Sequence, residues 1–244
     1  MRIHRHGPAE AALAVAEDVA ALLEAGPLGD GKGSLLLPTG STPRLLYARL
    51  REGHAAGKLA TGHWSSFNLD EYWPCAADNA TSFSAFMHEE LFTPLGLPTE
   101  RCGLLDGSVP AEEIDAHCAA YEARIAAAGG IRLAVLGLGI NGHLAFNEPG
   151  SPWDGRTGLV DLTESTRGRT GFPGGAEGPR QALTVGLGTI LEAERIVLLA
   201  FGAHKAEALG RLLAGERDPA WPVTCLGAHP AVTVHADAAA LGEA

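Results

Sequence analysis

The sequence predicts an α/β fold, a single domain over residues 1–244 with a mostly parallel, Rossmann-like sheet and helices on both faces. Two observations carry that expectation. Short apolar runs alternate along the chain with stretches of helical period, the pattern of parallel strands joined by right-handed crossovers. The composition, 46% hydrophobic with 32 Gly and 15 Pro, suits a well-packed chain with many turns between short elements. No internal repeat and no break in composition marks a second domain.

Taken in order, residues 8–25 read as a helix with Ala12, Val15, Val19 and Leu22 or Leu23 on one face. Residues 35–37 form a short apolar strand that ends in Pro38-Thr39-Gly40-Ser41-Thr42-Pro43, and residues 44–52 are helical behind that proline. Residues 64–69 are a second strand running into Asp70-Glu71-Tyr72. An Asp/Asn/Thr-rich loop then leads to a helix over 82–91, and 111–128 is a long helix. Residues 131–136 are the most apolar strand and end in Gly137-Leu138-Gly139-Ile140-Asn141-Gly142-His143, followed by Asn147-Glu148-Pro149-Gly150. Past a Gly/Pro-rich stretch over 168–179, residues 196–201 are strand, 203–214 helix and 232–235 a last strand. Ligands of such sheets bind beyond the carboxyl ends of the strands, where all three unusual motifs sit.

The net charge of -11 and the scattered Lys and Arg argue against nucleic acid as a partner, which needs a basic surface. A small anion needs only a few cationic or amide groups, so an anionic substrate is compatible with that charge. Cys75, Cys102, Cys118 and Cys225 form no CxxC pair and no cluster at metal-ligand spacing, so reduced thiols are expected. Residues 1–6 lack the apolar core of a signal peptide, and no run reaches about 18 apolar residues, so a cytoplasmic protein without a membrane span is expected.

The turn Pro38 to Pro43 sets small residues where a strand feeds a helix. Its amides can meet a phosphate with the helix dipole behind them; the same residues also fit an ordinary capped βα turn. It lacks the GxxxxGK[ST] pattern of a nucleotide P-loop. Asp70, at the end of a buried strand, is a candidate general base, with a solvated loop pair of Asp70 and Glu71 as the plainer alternative. In the third motif Glu148 follows His143 by five residues, so it can orient an imidazole that gives and takes protons. The cluster of Asn141, His143, Asn147 and Glu148 suggests no packing purpose. Gly137, Gly139 and Gly142 also satisfy GxGxxG, but the following residues contain Pro149-Gly150 and open no helix, so a dinucleotide fold does not fit.

Together these three motifs resemble the glucosamine-6-phosphate deaminase family, along with Leu162-Thr163-Glu164-Ser165-Thr166-Arg167, residues 182–189 and Lys205. The resemblance runs from about residue 10 to 235. Related 6-phosphogluconolactonases share the Gly-His pair but as a rule lack the Phe146-Asn147-Glu148-Pro149 that follows. The resemblance implies conversion of glucosamine 6-phosphate and water to fructose 6-phosphate and ammonia, without metal or organic cofactor. It implies Asp70 as the base at C2, His143 as the ring-opening acid/base, Glu148 as its orienting carboxylate and Asn141 in the same network. Phosphate is expected on Thr39, Gly40, Ser41, Thr42 and Lys205, with Gly139 and Arg169 also placed against the substrate.

Some departures from the family pattern matter. The segment after Arg167 is about three residues shorter than usual, and Arg169 is the candidate for the family's phosphate arginine. A common tyrosine is replaced by Phe83. Allosteric hexameric members carry basic residues after the segment equivalent to Arg156-Thr157 and a longer tail, whereas here Gly158 and Val160 stand and the chain ends at Ala244. Activation by N-acetylglucosamine 6-phosphate is therefore not expected, and a monomer or small homo-oligomer is. The rivals are the same chemistry on galactosamine 6-phosphate, lactone hydrolysis with His143 activating water, and a sugar-phosphate-sensing module. The last would have no reason to keep Asp70, His143 and Glu148 together.

Overall fold

The computed structural model describes residues 1–25, 34–62, 64–76, 78–168 and 178–243. In chain order the strands are β1 (Arg2–Arg5), β2 (Ser34–Leu37), β3 (Ser65–Asn68), β4 (Asp70–Trp73), β5 (Cys102–Gly103), β6 (Ile131–Gly137), β7 (Gly158–Asp161), β8 (Gln181–Thr184), β9 (Arg195–Ala200) and β10 (Val232–Ala236). Seven of them form one sheet in the order β1-β10-β9-β6-β2-β3-β5. Every pairing in it is parallel. The helices are α1 (Pro8–Glu24), α2 (Arg44–Ala55), α3 (Phe83–Met87), α4 (Ile114–Ala127), α5 (Glu164–Arg167), α6 (Leu187–Leu191) and α7 (Ala206–Leu213).

Strand alternation divides the core between the two faces of this sheet. Leu35, Leu37, Leu133, Val135, Val197 and Leu199 pack with Val15 and Val19 of α1 and Leu46 and Leu50 of α2. Leu36, Ala134, Leu136, Ile196 and Leu198 pack on the other face with Cys118, Tyr121 and Ile125 of α4 and Leu209 and Leu212 of α7. Helices thus cover both faces, as the sequence pattern predicts. The predicted face of α1 is the buried one, with Ala12, Val15, Val19 and Leu22 all inside. Pro8 opens that helix, and the Glu10 carboxylate accepts the Gly7 N–H at 2.8 Å.

The structure differs from the sequence reading in several places, each with a physical cause. Strand β1 reads Arg-Ile-His-Arg and lies fully exposed at the sheet edge, so it carries no apolar run. Strand β5 has two residues. The strand expected over 64–69 ends at Asn68, and residues 70–73 form a separate strand, β4, which leaves the main sheet and joins β8 and β7 in a small antiparallel sheet. Helix α3 stops at Met87 and continues as a π-helical turn, His88–Phe92, while α4 is preceded by a 3-10 turn, Ala111–Glu113. The four cysteines are buried and free. Among the described residues, no helix is long and apolar enough to cross a membrane.

Candidate active site

The carboxyl ends of β2, β3 and β6 open on a single cleft of about 700 Å³. Its first wall is the turn after β2: Pro38, Thr39, Gly40, Ser41, Thr42 and Pro43 all line it. Gly40 has φ 102°, a conformation that disfavours any side chain, and α2 starts immediately behind Pro43. The buried Tyr47 hydroxyl donates to the Pro38 carbonyl and holds the start of the turn.

Asp70 stands where the chain passes from one sheet to the other. The Leu69 N–H donates to the Leu37 carbonyl at 3.1 Å, and the Leu69 carbonyl accepts the Val185 N–H at 2.8 Å. One residue later Asp70 opens β4 opposite Thr184 of β8. Asp70 lines the cleft while only 8% exposed, so the carboxylate is not the solvated loop group of the plainer alternative. Its charge, with that of Glu90 and after burial itself, helps push the Tyr47 phenol well above its usual pKa.

The loop after β6 is shaped to carry His143. The Gly139 N–H donates to the His143 carbonyl at 2.9 Å, and Gly142 turns the chain with φ 82°. A Cβ on Gly139 would come within 2.4 Å of the His143 ring, so the glycine makes the room in which that ring lies. Gly139 and His143 line the cleft, and Asn141 and Glu148 support the imidazole from behind. Glu148 Oε2 is 3.6 Å from His143 Nδ1 and accepts Asn141 Nδ2 at 2.8 Å. Asn141 Oδ1 accepts the His143 N–H at 3.3 Å.

The other oxygen of Glu148 accepts the Thr166 hydroxyl and, at 3.1 Å, that of Thr163. Burial pushes the Glu148 pKa up, but His143, Thr166 and Asn141 outweigh it and bring it down to about 2. Glu148 is therefore a fixed negative charge behind the imidazole. Asn147, by contrast, has a structural purpose that the sequence reading did not find: its Nδ2 donates to the Leu144 and Val185 carbonyls at 2.9 and 2.8 Å. Ala145, with φ 53°, is a non-glycine residue in the left-handed region on the cleft wall.

Opposite the turn, His204 and Lys205 line the cleft from the 3-10 turn Ala203–Lys205 that leads into α7. The structure thus brings Thr39, Gly40, Ser41, Thr42, Asp70, Gly139, His143 and Lys205 to one cleft. Arg169 lies outside the described residues. The roles of Thr163 and Thr166 escaped the sequence reading. Thr163 caps α5 by accepting the Thr166 N–H, and that Thr-x-x-Thr spacing is the only signal of it in the sequence.

Residues 6–235 match the family model described as glucosamine-6-phosphate isomerases/6-phosphogluconolactonase. The chain belongs to this family. A glucosamine-6-phosphate deaminase of Lysinibacillus sphaericus (strain C3-41) is 42% identical over 200 residues, covering 81% of this chain and 84% of the relative. One from Cronobacter sakazakii (strain ATCC BAA-894) is 40% identical over 214 residues, covering 86% and 80%. A monomeric glucosamine-6-phosphate deaminase of solved structure superposes with a TM-score of 0.93 at 32% identity, with both chains fully covered. The 6-phosphogluconolactonase of Trypanosoma brucei, at 22% identity and a TM-score of 0.80 over 99% of this chain and 97% of its own, shares the fold.

Proposed function

We propose that the protein is an amino-sugar-phosphate isomerase and deaminase that turns glucosamine 6-phosphate and water into fructose 6-phosphate and ammonia. The observation that carries this reading is the placement of Asp70, His143, Lys205 and the Thr39 to Thr42 turn around one cleft. A carboxylate and an imidazole on a shared cavity suit enolisation next to a carbonyl. The relatives named deaminases agree with it.

In this reading the phosphate rests on the amides of the turn, the start of α2 and Lys205. His143, oriented by Glu148, moves the proton between ring oxygen and O1 that opens the sugar ring. Asp70 then takes the C2 proton as O1 takes up a proton, giving an enolamine with a C1=C2 double bond, and returns its proton to C1 as the nitrogen gives one up. The product of that step is an imine at C2. Water adds to the imine carbon and the C–N bond breaks, leaving a C2 ketone and ammonia. The seven-stranded sheet shared by most of the strands supports treating residues 1–244 as one catalytic domain.

The test is incubation of the purified protein with glucosamine, galactosamine and mannosamine 6-phosphates, measuring ammonia and ketose phosphate together. Turnover is expected with glucosamine 6-phosphate, and no turnover on any of the three would sink the reading.

A further inference from the structure

Glu71 directly follows the proposed base, and strand alternation turns its carboxylate the other way, into the protein. The residue is 3% exposed. One carboxylate oxygen accepts the N–H groups of Tyr72 and Phe83, both at 2.9 Å, and the other accepts the Ser84 N–H at 2.8 Å. Burial pushes the Glu71 pKa up against the opposing pull of these bonds. The next free amide of the helix, that of Ala85, is taken by the Ser82 hydroxyl at 3.0 Å. Helix α3 is therefore capped jointly by its own Ser82 and by a carboxylate from β4.

We infer that Glu71 is a positioning residue for the reaction: it clamps Phe83, a wall of the cleft, to the strand that carries Asp70. Phe83 lines the cleft, and its ring lies 4.6 Å from Tyr72 and 6.0 Å from Phe146, centroid to centroid. Tyr72 belongs to the strand of Asp70 and Phe146 to the loop of His143, so the Phe83 ring bridges the segments that carry the two proposed catalytic groups. The far end of the same segment is tied down as well. Glu90, in the π-helical turn after α3, is buried and ion-pairs with Arg44 and Arg51 of α2, the helix that starts at the phosphate turn. The segment from Phe83 to Phe92 is thus a strut with a buried carboxylate at each end, one at the base and one behind the phosphate turn. It holds the sugar-facing wall at a set place between them.

This inference rests on the proposed function for the identity of the bound sugar, and it is tested by separating sugar recognition from phosphate recognition. Glu71→Gln sets an amide against the Ser84 N–H while altering neither the turn nor Lys205. Calorimetry is run with 2-amino-2-deoxyglucitol 6-phosphate, an alditol that cannot isomerise, and with inorganic phosphate. The alditol is expected to bind roughly tenfold more weakly, with phosphate affinity unchanged and kcat/KM on glucosamine 6-phosphate lowered by on the order of 10- to 100-fold. Parallel weakening of alditol and phosphate, or of neither, overturns the inference. If wild type binds the alditol but turns over no amino-sugar phosphate, the proposed reaction falls while the calorimetry still judges Glu71. If Glu71→Gln does not fold, amide exchange in wild type decides instead. The Phe83 and Ser84 amides are expected to be protected as well as those of β4, and exchange at the rate of an exposed loop overturns the clamp.

Discussion

The imidazole of His143 occupies the space that a side chain on Gly139 would fill, its Cγ 2.4 Å from where a Cβ would stand. Gly139→Ala must therefore displace the ring from the cleft wall and from Glu148. The expected result is a fall in kcat/KM of on the order of 10²-fold, read by ammonia release. A stability cost of about 1–3 kcal/mol in thermal unfolding is expected alongside it.

Asp70→Asn removes the proposed base while leaving the turn and Lys205 in place. Ammonia release is expected to fall by roughly 10²–10⁴-fold. Exchange of the C2 hydrogen with deuterated water is expected to vanish with it, while phosphate still binds. A lactone hydrolase built on this fold would tolerate the change, so retained activity on a 6-phosphogluconolactone together with no C2 exchange in wild type would favour that rival.

Thr166→Val takes one hydroxyl from Glu148 and leaves that of Thr163. The folded pKa of Glu148, about 2, lies below the ordinary 4.5, so this group contributes stability that is present above pH 4.5 and lost as the pH falls toward 2. The substitution raises that folded pKa. The acid limb of kcat/KM is expected to move to higher pH, with a loss of about 1 kcal/mol in unfolding free energy. An unchanged pH profile would refute the link between Thr166 and the imidazole.

A second pH effect arises at the edge of the seven-stranded sheet, where β1 pairs with β10. His4 stacks on the buried His235 of β10 and His6 lies tilted against it, each with its centroid 5.1 Å from that of His235, and His6 Nδ1 meets His235 Nδ1 at 2.9 Å. Only one proton fits between those two nitrogens. Burial first, then His4 and His6, bring the His235 pKa from 6.5 to about 4, against the pull of Asp18 on α1, which Arg195 of β9 also engages at 3.0 Å. The folded value is depressed, so the contribution is complete above pH 6.5 and is lost as the pH falls toward 4, by at most ~1.4 kcal/mol per pH unit. The Tm is expected to drop across that window and amide exchange in β1 to rise. His235→Asn is expected to flatten both trends; an equally steep decline in the variant would show that the cluster is not their source.

Much of the site is legible in the sequence because local chemistry dictates it. Gly40 and Gly142 sit where φ is positive, and the carboxylate, imidazole and glycines fall at the ends of apolar strands. Other parts depend on residues far apart in the chain. Glu71 reads as half of an Asp-Glu pair until Phe83 and Ser84 are brought to it, and Asn147 reads as a residue without a packing purpose until Val185 appears beside it. Strands β7 and β8 are four residues each and lie with β4 in the small antiparallel sheet, so they lack the long apolar run that reveals β6. β1 has polar residues at three of its four positions, all of them exposed at the sheet edge.

Leu69 keeps one backbone bond to each sheet, through Leu37 and Val185, and so acts as the seam between them. Among the described residues no strand of the larger sheet pairs with β4, β7 or β8, so an opening at this seam breaks no bond of the larger ladder, although it exposes Leu183 of β8, which shares a core with Leu36 and Leu136. Such an opening would carry Asp70 off with β4. Mild denaturant is therefore expected to silence the enzyme at concentrations where the larger sheet is still intact, so the midpoint of inactivation falls below that of unfolding.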